Sequence, residues 1–116
     1  PKSDNRRSML FIDNLCEFVR LMIENDERGI FFPQNGEYVC TSDIVADIAA
    51  FYGRNIRLVQ VGFIVKAASA VFKKLNNAFS TYTYDQSMSI YRQEYRVADL
   101  AESIVLTENG KLNRNL

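Results

Sequence analysis

The side chains that carry most protein chemistry are scarce in this chain of 116 residues. Histidine is absent, which excludes histidine-based acid/base catalysis, catalytic triads and histidine metal sites. The two cysteines, Cys16 and Cys40, do not have the spacing of a metal or redox motif. Each stands among apolar neighbours, so we expect two small buried thiols, which fits a reducing cytoplasm.

Positive charge is the next feature that could bind a ligand. Basic and acidic residues number 14 each, so the formal net charge is zero. This balance argues against a long-range basic field for nucleic acid. Two local basic pairs remain, Arg6-Arg7 near the start and Lys73-Lys74 after the middle, and most such pairs are solvated surface charges.

Short apolar runs predict the strands that would position these residues. They cover residues 8–12, 30–33, 37–40, 55–61 and 78–84. Asn35-Gly36 predicts a tight hairpin turn between the second and third runs. Helical segments separate the other runs, so we expect a right-handed crossover and at least one parallel pairing.

Apolar residues at helical spacing predict the helices between these strands. The first helix would be capped by Asp13 or Asn14, end at Gly29 and bury the stripe Leu15, Phe18, Val19, Met22 and Ile23. The second would be capped by Thr41 or Ser42, end at Gly53 and bury Ile44, Val45, Ile48, Ala49, Phe51 and Tyr52.

Two further helices complete the prediction. The third spans residues 62–75, and the fourth starts at the capping-box pair Asp99 and Glu102. The apolar stretch 62–72 is too short to span a bilayer and is interrupted by Lys66. Peripheral membrane contact through this helix is the less favoured alternative to its packing in the core or in a subunit contact.

The expected fold is a small α/β domain of mixed α+β character, with about four helices and short, partly parallel strands. The length fits a single domain over residues 1–116. We expect flexible ends at residues 1–7 and 108–116, where polar residues dominate.

An ordered series of segments resembles a known enzyme family. Residues 7–15, Arg-Ser-Met-Leu-Phe-Ile-Asp-Asn-Leu, resemble the Arg, strand, Val-x-Asp-Leu segment found late in extended short-chain dehydrogenase/reductases, the NAD-dependent epimerases and dehydratases of nucleotide sugars. Residues 82–87 resemble that family's aromatic-x-x-Asp-x-Ser segment, and 97–107 resemble its terminal Leu-Glu-Glu helix. The series covers about residues 5–108 and implies the carboxy-terminal lobe of a Rossmann-type enzyme similar to sugar-nucleotide 4-epimerases.

The resemblance implies three substrate-binding residues. The family counterpart of Arg7 contacts the nucleotide diphosphate, and the rigid donor fork of a guanidinium suits phosphate oxygens. Tyr82 falls where the family often has an aromatic ring beside the sugar or nucleotide, and Lys74 lies near a second phosphate-binding cation. The plainer alternatives are a solvated arginine beside Arg6, a sheet tyrosine packed on the third helix, and a solvated lysine at a helix end.

The chain also departs from the family pattern. Asn14 replaces the more usual aspartate, and we expect it to cap the first helix equally well. Met88 stands where a lysine often follows the Asp-x-Ser segment. These departures indicate a divergent branch whose substrate cannot be transferred from the family.

The catalytic parts of the family are missing from this sequence. The family's hydride transfer needs a Gly-rich turn for the NAD pyrophosphate and a Tyr-x-x-x-Lys pair. The five glycines form no such turn, and no tyrosine has a lysine four residues later. We therefore expect no catalytic residue and no cofactor or metal site in this chain, with NAD held by the amino-terminal dinucleotide-binding domain of a parent enzyme.

The leading hypothesis is the substrate-binding carboxy-terminal portion of an NAD-dependent nucleotide-sugar epimerase or dehydratase, in the cytoplasm. Its expected partners are the nucleotide sugar and the parent's amino-terminal domain. A fragment would also expose apolar surface, which predicts self-association of the isolated chain. The alternative hypothesis is a free-standing, non-catalytic α/β interaction module.

Overall fold

The computed structural model describes residues 2, 4–60, 62–69, 77 and 80–114. These residues form α1 (Ile12–Glu24), α2 (Thr41–Phe51), α3 (Gly62–Ser69), a 3-10 helix (Gln86–Ser89) and α4 (Leu100–Arg114). The chain divides into two compact units. The first unit consists of Pro1–Arg7 and Val39–Thr83, and the second consists of Ser8–Tyr38 and Tyr84–Leu116.

The predicted α/β class with partly parallel strands is wrong. The described part of the chain is helical and contains no β-sheet. Its extended pairing is limited to two isolated bridges, both made by Arg7, which pairs antiparallel with Val39 and parallel with Tyr82. The apolar runs at 8–12, 30–33, 37–40 and 55–60 therefore do not assemble into a sheet.

Asn35 shows why the strands and the hairpin fail to form in the second unit. Its Oδ1 accepts a hydrogen bond from the N–H of Phe11 at 2.9 Å, and its own N–H donates to the carbonyl of Met9 at 2.8 Å. The N–H of Phe11, which is bonded to a side chain, cannot extend a strand ladder. Gly36 does not have the positive φ of the predicted hairpin turn, since the described glycines with positive φ are Gly29 and Gly53.

The described hydrophobic core lies in the second unit. Phe18, Leu21 and Tyr95 are its buried members, and Leu10, Met22 and Tyr91 pack against them. The ring of Phe18 meets that of Tyr95 edge to face, with centroids 4.9 Å apart. The predicted apolar stripe of α1 is wrong at two positions, because Val19 and Ile23 are 46% and 76% exposed and Leu21 is buried in their place.

Asn14 is a buried bridge rather than a helix cap. The N-cap of α1 is Phe11, and no side chain caps it. Asn14 is fully buried, and its amide group donates to Asn35 Oδ1 and to the carbonyl of Ala98, both at 3.0 Å. Its Oδ1 accepts from the N–H of Ala98 at 3.0 Å, so this side chain fastens the start of α1 to the segment before α4.

Helices α1 and α2 are each followed by a residue with positive φ. The sequence predicts this residue correctly after α2 and wrongly after α1. α2 ends at Phe51 and Gly53 follows with φ of 65°, which confirms the predicted stop. α1 ends at Glu24, earlier than predicted, and the left-handed position after it is taken by Asp26 with φ of 47°. Gly29 lies beyond this end, so its predicted role is wrong.

The start of α2 is organised by a residue from the predicted flexible end. Neither Thr41 nor Ser42 caps the helix, because the N-cap is Cys40 and it has no side-chain cap. Instead, Asn5 Oδ1 accepts from the N–H of Thr41 at 3.2 Å. Asn5 is only 5% exposed, and the flexibility expected over residues 1–7 stays a prediction.

The start of α4 is predicted well and its end is not. Asp99 and Glu102 form the reciprocal capping box, with bonds of 3.1 and 2.9 Å. The helix continues to Arg114, past the polar residues from 108 onward, whose flexibility stays a prediction. Glu108 is only 4% exposed and accepts from Lys111 Nζ at 2.6 Å, an i,i+3 pair that supports the last turns of the helix.

The remaining predictions concern the cysteines and α3. Cys16 is exposed and Cys40 is half-buried, so the prediction of two buried thiols is wrong for Cys16. In α3, Phe63 and Ile64 are 87% and 65% exposed, against the expected core packing, and the continuation to residue 75 lies outside the described residues. No helix in the described part of the chain is both long and apolar enough to cross a membrane.

Candidate functional site

Arg7 lies in the first unit, where three extended segments meet. Its N–H donates to the carbonyl of Val39 at 3.0 Å, and the N–H of Val39 donates back at 2.9 Å. On the other side, the N–H of Tyr82 donates to the carbonyl of Arg6 at 2.9 Å. Val39 is only 1% exposed, so its bonds with Arg7 are shielded from water. The backbone at Arg7 is therefore held by Val39 on one side and by Tyr82 on the other.

Short polar side chains place the segment that carries Arg7. Asn5 Nδ2 donates to Thr41 Oγ1 at 2.8 Å, which adds to the bond between Asn5 and the first turn of α2. The N–H of Arg6 donates to Thr81 Oγ1 at 3.2 Å. Asn5 is bonded to the start of α2 and Arg6 is bonded to Thr81. These two anchors fix the position of the next residue, Arg7, along the chain.

The Arg7 guanidinium and the Tyr82 ring are neighbours. The guanidinium carbon lies 5.9 Å from the ring centroid, within the range of a cation–π contact. Arg7 Nη2 also donates to the carbonyl of Asn77. Tyr82 is 57% exposed and Arg7 is half-buried, so the pair places a guanidinium beside a solvent-accessible aromatic ring.

This arrangement can recognise an anion that carries a flat or partly apolar group. A guanidinium donates to phosphate oxygens in a fixed geometry, and an exposed ring stacks on a base or on the apolar face of a sugar. Of the three predicted site residues, the structure brings Arg7 and Tyr82 together. Lys74 lies outside the described residues.

The second unit contains a polar cluster that the sequence does not predict. The Tyr95 hydroxyl accepts from the N–H of Gln34 at 3.1 Å and donates to the carbonyl of Ser89 at 2.8 Å. Arg96 lies over the Tyr95 ring at 5.0 Å, and its Nε donates to the carbonyl of Gln34 at 3.0 Å. No spacing in the sequence points to this cluster, because its members come from separate loops.

Asp85 explains the Asp-x-Ser segment as a local turn. Its Oδ1 accepts from the N–H of Ser87 at 2.8 Å and so caps the 3-10 helix. Hydrogen bonds from the Ser87 side chain and backbone lower the pKa of the Asp85 carboxyl from its ordinary value. The segment therefore has a structural role that does not depend on a ligand.

Neither a metal site nor an NAD site is built from the described residues. Within these residues, no group of three or more acidic or sulfur side chains could hold a metal ion. Of the chain's five glycines, Gly62 begins a helix, and it has no glycine partner in the spacing that cradles a pyrophosphate. The described residues do not fit NAD.

Comparison of the chain with protein-family models, with curated proteins and with solved structures finds no match in any of the three.

Proposed function

We propose that this chain is the substrate-binding carboxy-terminal portion of an NAD-dependent nucleotide-sugar epimerase or dehydratase. Arg7 binds the diphosphate of the substrate, and Tyr82 stacks on its sugar or base. The observation that supports the proposal is the contact between the Arg7 guanidinium, fixed at its backbone, and the half-exposed Tyr82 ring. The order of the sequence segments supplies the substrate class.

The parent enzyme, in this proposal, works in the cytoplasm with two separate portions. Its amino-terminal portion holds NAD and the groups that move the hydride and the proton. This chain binds the nucleotide sugar and orients it, with no catalytic residue of its own. Cys16 is an exposed free thiol, the form that a reducing compartment maintains.

The test is a titration of the 116-residue chain with a nucleoside-diphosphate sugar, UDP-glucose, followed by NMR chemical shifts of ¹⁵N-labelled protein. We expect weak binding, with a Kd of about 1 mM, because half of the cleft is missing. Arg7→Ala should weaken binding by about ten-fold or more, since a charge-assisted donor pair to phosphate is lost. Arg6→Ala is the matched control, because Arg6 is the exposed neighbour.

A second matched pair tests the stacking role. Tyr82 and Tyr84 are both 57% exposed, and only Tyr82 lies beside Arg7. Tyr82→Leu should weaken the binding of UDP-glucose by about three- to ten-fold, and Tyr84→Leu should not. If Arg7→Ala and Arg6→Ala weaken binding equally, or UDP-glucose does not bind the wild-type chain or the intact parent, the proposed function is wrong.

A further inference from the structure

The second unit carries an apolar groove of about 470 Å³ along α4. It is lined by Val97, Ala98, Ala101, Glu102, Val105 and Leu106. Val97, Val105 and Leu106 are 59%, 44% and 51% exposed, so their aliphatic groups face solvent in this structure. An exposed apolar strip of this kind is typical of a surface that docks a partner.

The spacing along the strip suits another helix. Ala101, Val105 and Leu112 follow one another at intervals of four and seven residues. These intervals are those of the seam positions in a pair of packed helices. Ala98 and Ala101 at the start of the strip allow a close approach of backbones, and Leu112, which is 46% exposed, extends the strip toward the end of α4.

The charges at the start of the strip select the partner. Glu102 lines the groove, Asp99 directly follows the lining residue Ala98, and both acidic residues are exposed. Each carboxylate uses one oxygen in the capping box, Oδ1 of Asp99 and Oε2 of Glu102. The second oxygen of each carboxylate is therefore able to accept from a basic group, and the groove has an acidic end.

The other end of the strip is polar and uncharged. Asn109 lies seven residues after Glu102 and is exposed, so it occupies the same side of α4. Lys111 donates to Glu108 within α4, so its charge is already paired. Arg114 is two residues from Leu112, and residues at this interval do not share a helix face.

This distribution of charge disfavours two other occupants. A second copy packed antiparallel would set Asn109 against the acidic end, which provides no ion pair. A second copy packed parallel would bring two acidic ends together, and like charges at an interface lower affinity. An anionic lipid surface would be repelled in the same way. A partner with basic residues gains from both carboxylates.

We propose that the groove along α4 binds an amphipathic helix of a partner protein, with aliphatic residues on one face and lysine or arginine beside them. This proposal is independent of nucleotide-sugar binding, because it concerns a different surface and residues of the second unit alone. Aliphatic side chains of the partner fill the groove, and its basic groups pair with Asp99 and Glu102.

The experiment measures fluorescence anisotropy of two labelled synthetic helical peptides of about 20 residues, titrated with the full 116-residue chain. Both peptides carry the same leucine stripe. One has lysine and arginine beside the stripe, and the other has glutamate. We expect the basic peptide to bind about ten-fold more tightly than the acidic one, with a difference that shrinks as salt is added.

Two valines provide a matched pair of variants for the apolar part of the groove. Val105 in the groove and Val19 on α1 are 44% and 46% exposed, so both tolerate a charged replacement to a similar degree. Val105→Arg should weaken binding of the basic peptide by about ten-fold, and Val19→Arg should leave it unchanged.

A second set of variants tests the acidic end without removing the capping box. Asp99→Asn with Glu102→Gln keeps an acceptor oxygen at both positions and removes two negative charges. This double variant should lower the preference for the basic peptide to about three-fold or less. Asp43→Asn with Asp47→Asn makes the same change in net charge at two exposed positions of α2 and should leave the preference at about ten-fold.

Several results would overturn the proposal. Equal binding of the two peptides, equal losses in Val105→Arg and Val19→Arg, or equal effects of the two double variants would mean that attraction is not specific to the groove. Sedimentation velocity shows whether the chain forms a dimer through the same groove. A dimer that Val105→Arg dissociates, in a chain that binds neither peptide, would assign the groove to a second copy. Circular dichroism of each variant shows whether the helices are retained.

Discussion

Two of the three arginine–tyrosine pairs in the described part of the chain share their chemistry and differ most in how exposed the ring is. In the pair Arg96–Tyr95, called the closed pair, the guanidinium carbon lies 5.0 Å from the ring centroid and the tyrosine is 1% exposed. In the pair Arg7–Tyr82, called the open pair, the distance is 5.9 Å and the tyrosine is 57% exposed. Exposure of the ring, rather than the contact itself, separates a structural pair from a candidate binding site.

The closed pair uses its polar groups within the protein. The Tyr95 hydroxyl is bonded to Gln34 and Ser89, and Arg96 Nη2 donates to Ser89 Oγ at 2.8 Å. A ligand would have to displace these bonds to reach either side chain. In the open pair the outer face of the Tyr82 ring is exposed, so a ligand can contact it without breaking a bond of the fold.

The largest difference is expected when each tyrosine loses only its hydroxyl. Tyr95→Phe leaves the buried N–H of Gln34 and the carbonyl of Ser89 without their partner, which should lower the free energy of unfolding by about 2–3 kcal/mol. Tyr82→Phe should change it by less than about 0.5 kcal/mol, because that residue is half-exposed. Urea unfolding followed by circular dichroism measures both.

The comparison would fail if the two variants unfolded at the same urea concentration. Equal stability would mean that the groups bonded to the Tyr95 hydroxyl find replacement partners, such as water, when it is removed. A change in the slope of the unfolding curve would indicate instead that the compactness of one state had changed.

The next largest effect is a difference in stability between the two pairs when each arginine is replaced by lysine. Arg96→Lys cannot keep both the bond to the Gln34 carbonyl and the bond to Ser89 Oγ, and we expect a loss of about 1–2 kcal/mol in stability. Arg7→Lys should cost less, about 0.5–1 kcal/mol, since a lysine can still donate to the carbonyl of Asn77. Under the proposed function it should nevertheless weaken UDP-glucose binding, because an ammonium lacks the donor fork.

A result in which Arg7→Lys destabilises the fold as much as Arg96→Lys would make the open pair a structural feature like the closed one. Thermal unfolding of the two variants and the NMR titration of Arg7→Lys together distinguish these outcomes.

The helix ends that the sequence predicts correctly are those with local signals. The capping box of Asp99 and Glu102 and the stop at Gly53 each depend on a few neighbouring residues, so spacing alone identifies them. The strands are not predictable in this way. Whether an apolar run joins a sheet depends on what its N–H and carbonyl groups meet, and here the Asn35 side chain takes the N–H of Phe11.

The candidate site shows the same limit. Arg7 and Tyr82 are identified through the resemblance to a family, and no pattern in the sequence places them side by side. Their contact depends on backbone bonds between distant segments. The closed pair is not predictable either, because Tyr95 and Arg96 look like ordinary loop residues until Gln34 and Ser89 are brought to them by the fold.

A smaller effect is expected at the helix ends of the two units. α1 and α2 end with the same bonding pattern, in which Glu27 N–H donates to Met22 at 3.0 Å and Arg54 N–H donates to Ala49 at 2.8 Å. The left-handed position is Asp26 in one unit and Gly53 in the other. A glycine is less strained there than any residue with a Cβ.

Placing a glycine at position 26 and an alanine at position 53 should change the free energy of unfolding in opposite directions. Asp26→Gly should raise the free energy of unfolding by about 0.5–1 kcal/mol, and Gly53→Ala should lower it by about 1 kcal/mol. A Cβ at Gly53 would meet no atom within 4 Å, so its effect is a backbone effect alone. The ion pair of Asp26 with Arg28 is long, at 3.9 Å, and exposed, so its loss matters little. Urea midpoints of both variants measure the two changes, and a loss of stability in Asp26→Gly would contradict this account.

The smallest effect concerns pH and the turn next to the closed pair, where the carbonyl of Asp85 accepts from Gln34 Nε2 at 3.2 Å. The Ser87 hydrogen bonds lower the pKa of Asp85 in the folded chain below its unfolded value. This contribution is therefore complete above the unfolded pKa of about 4 and is lost as pH falls through the lower folded pKa. Asp85→Asn retains an acceptor for the Ser87 N–H and does not titrate, so its stability should fall less steeply on acidification. Urea midpoints of both chains between about pH 5 and pH 2 measure this slope. Parallel curves would show that the Ser87 bonds do not favour the ionised carboxyl, and the turn would then owe its stability to backbone geometry alone.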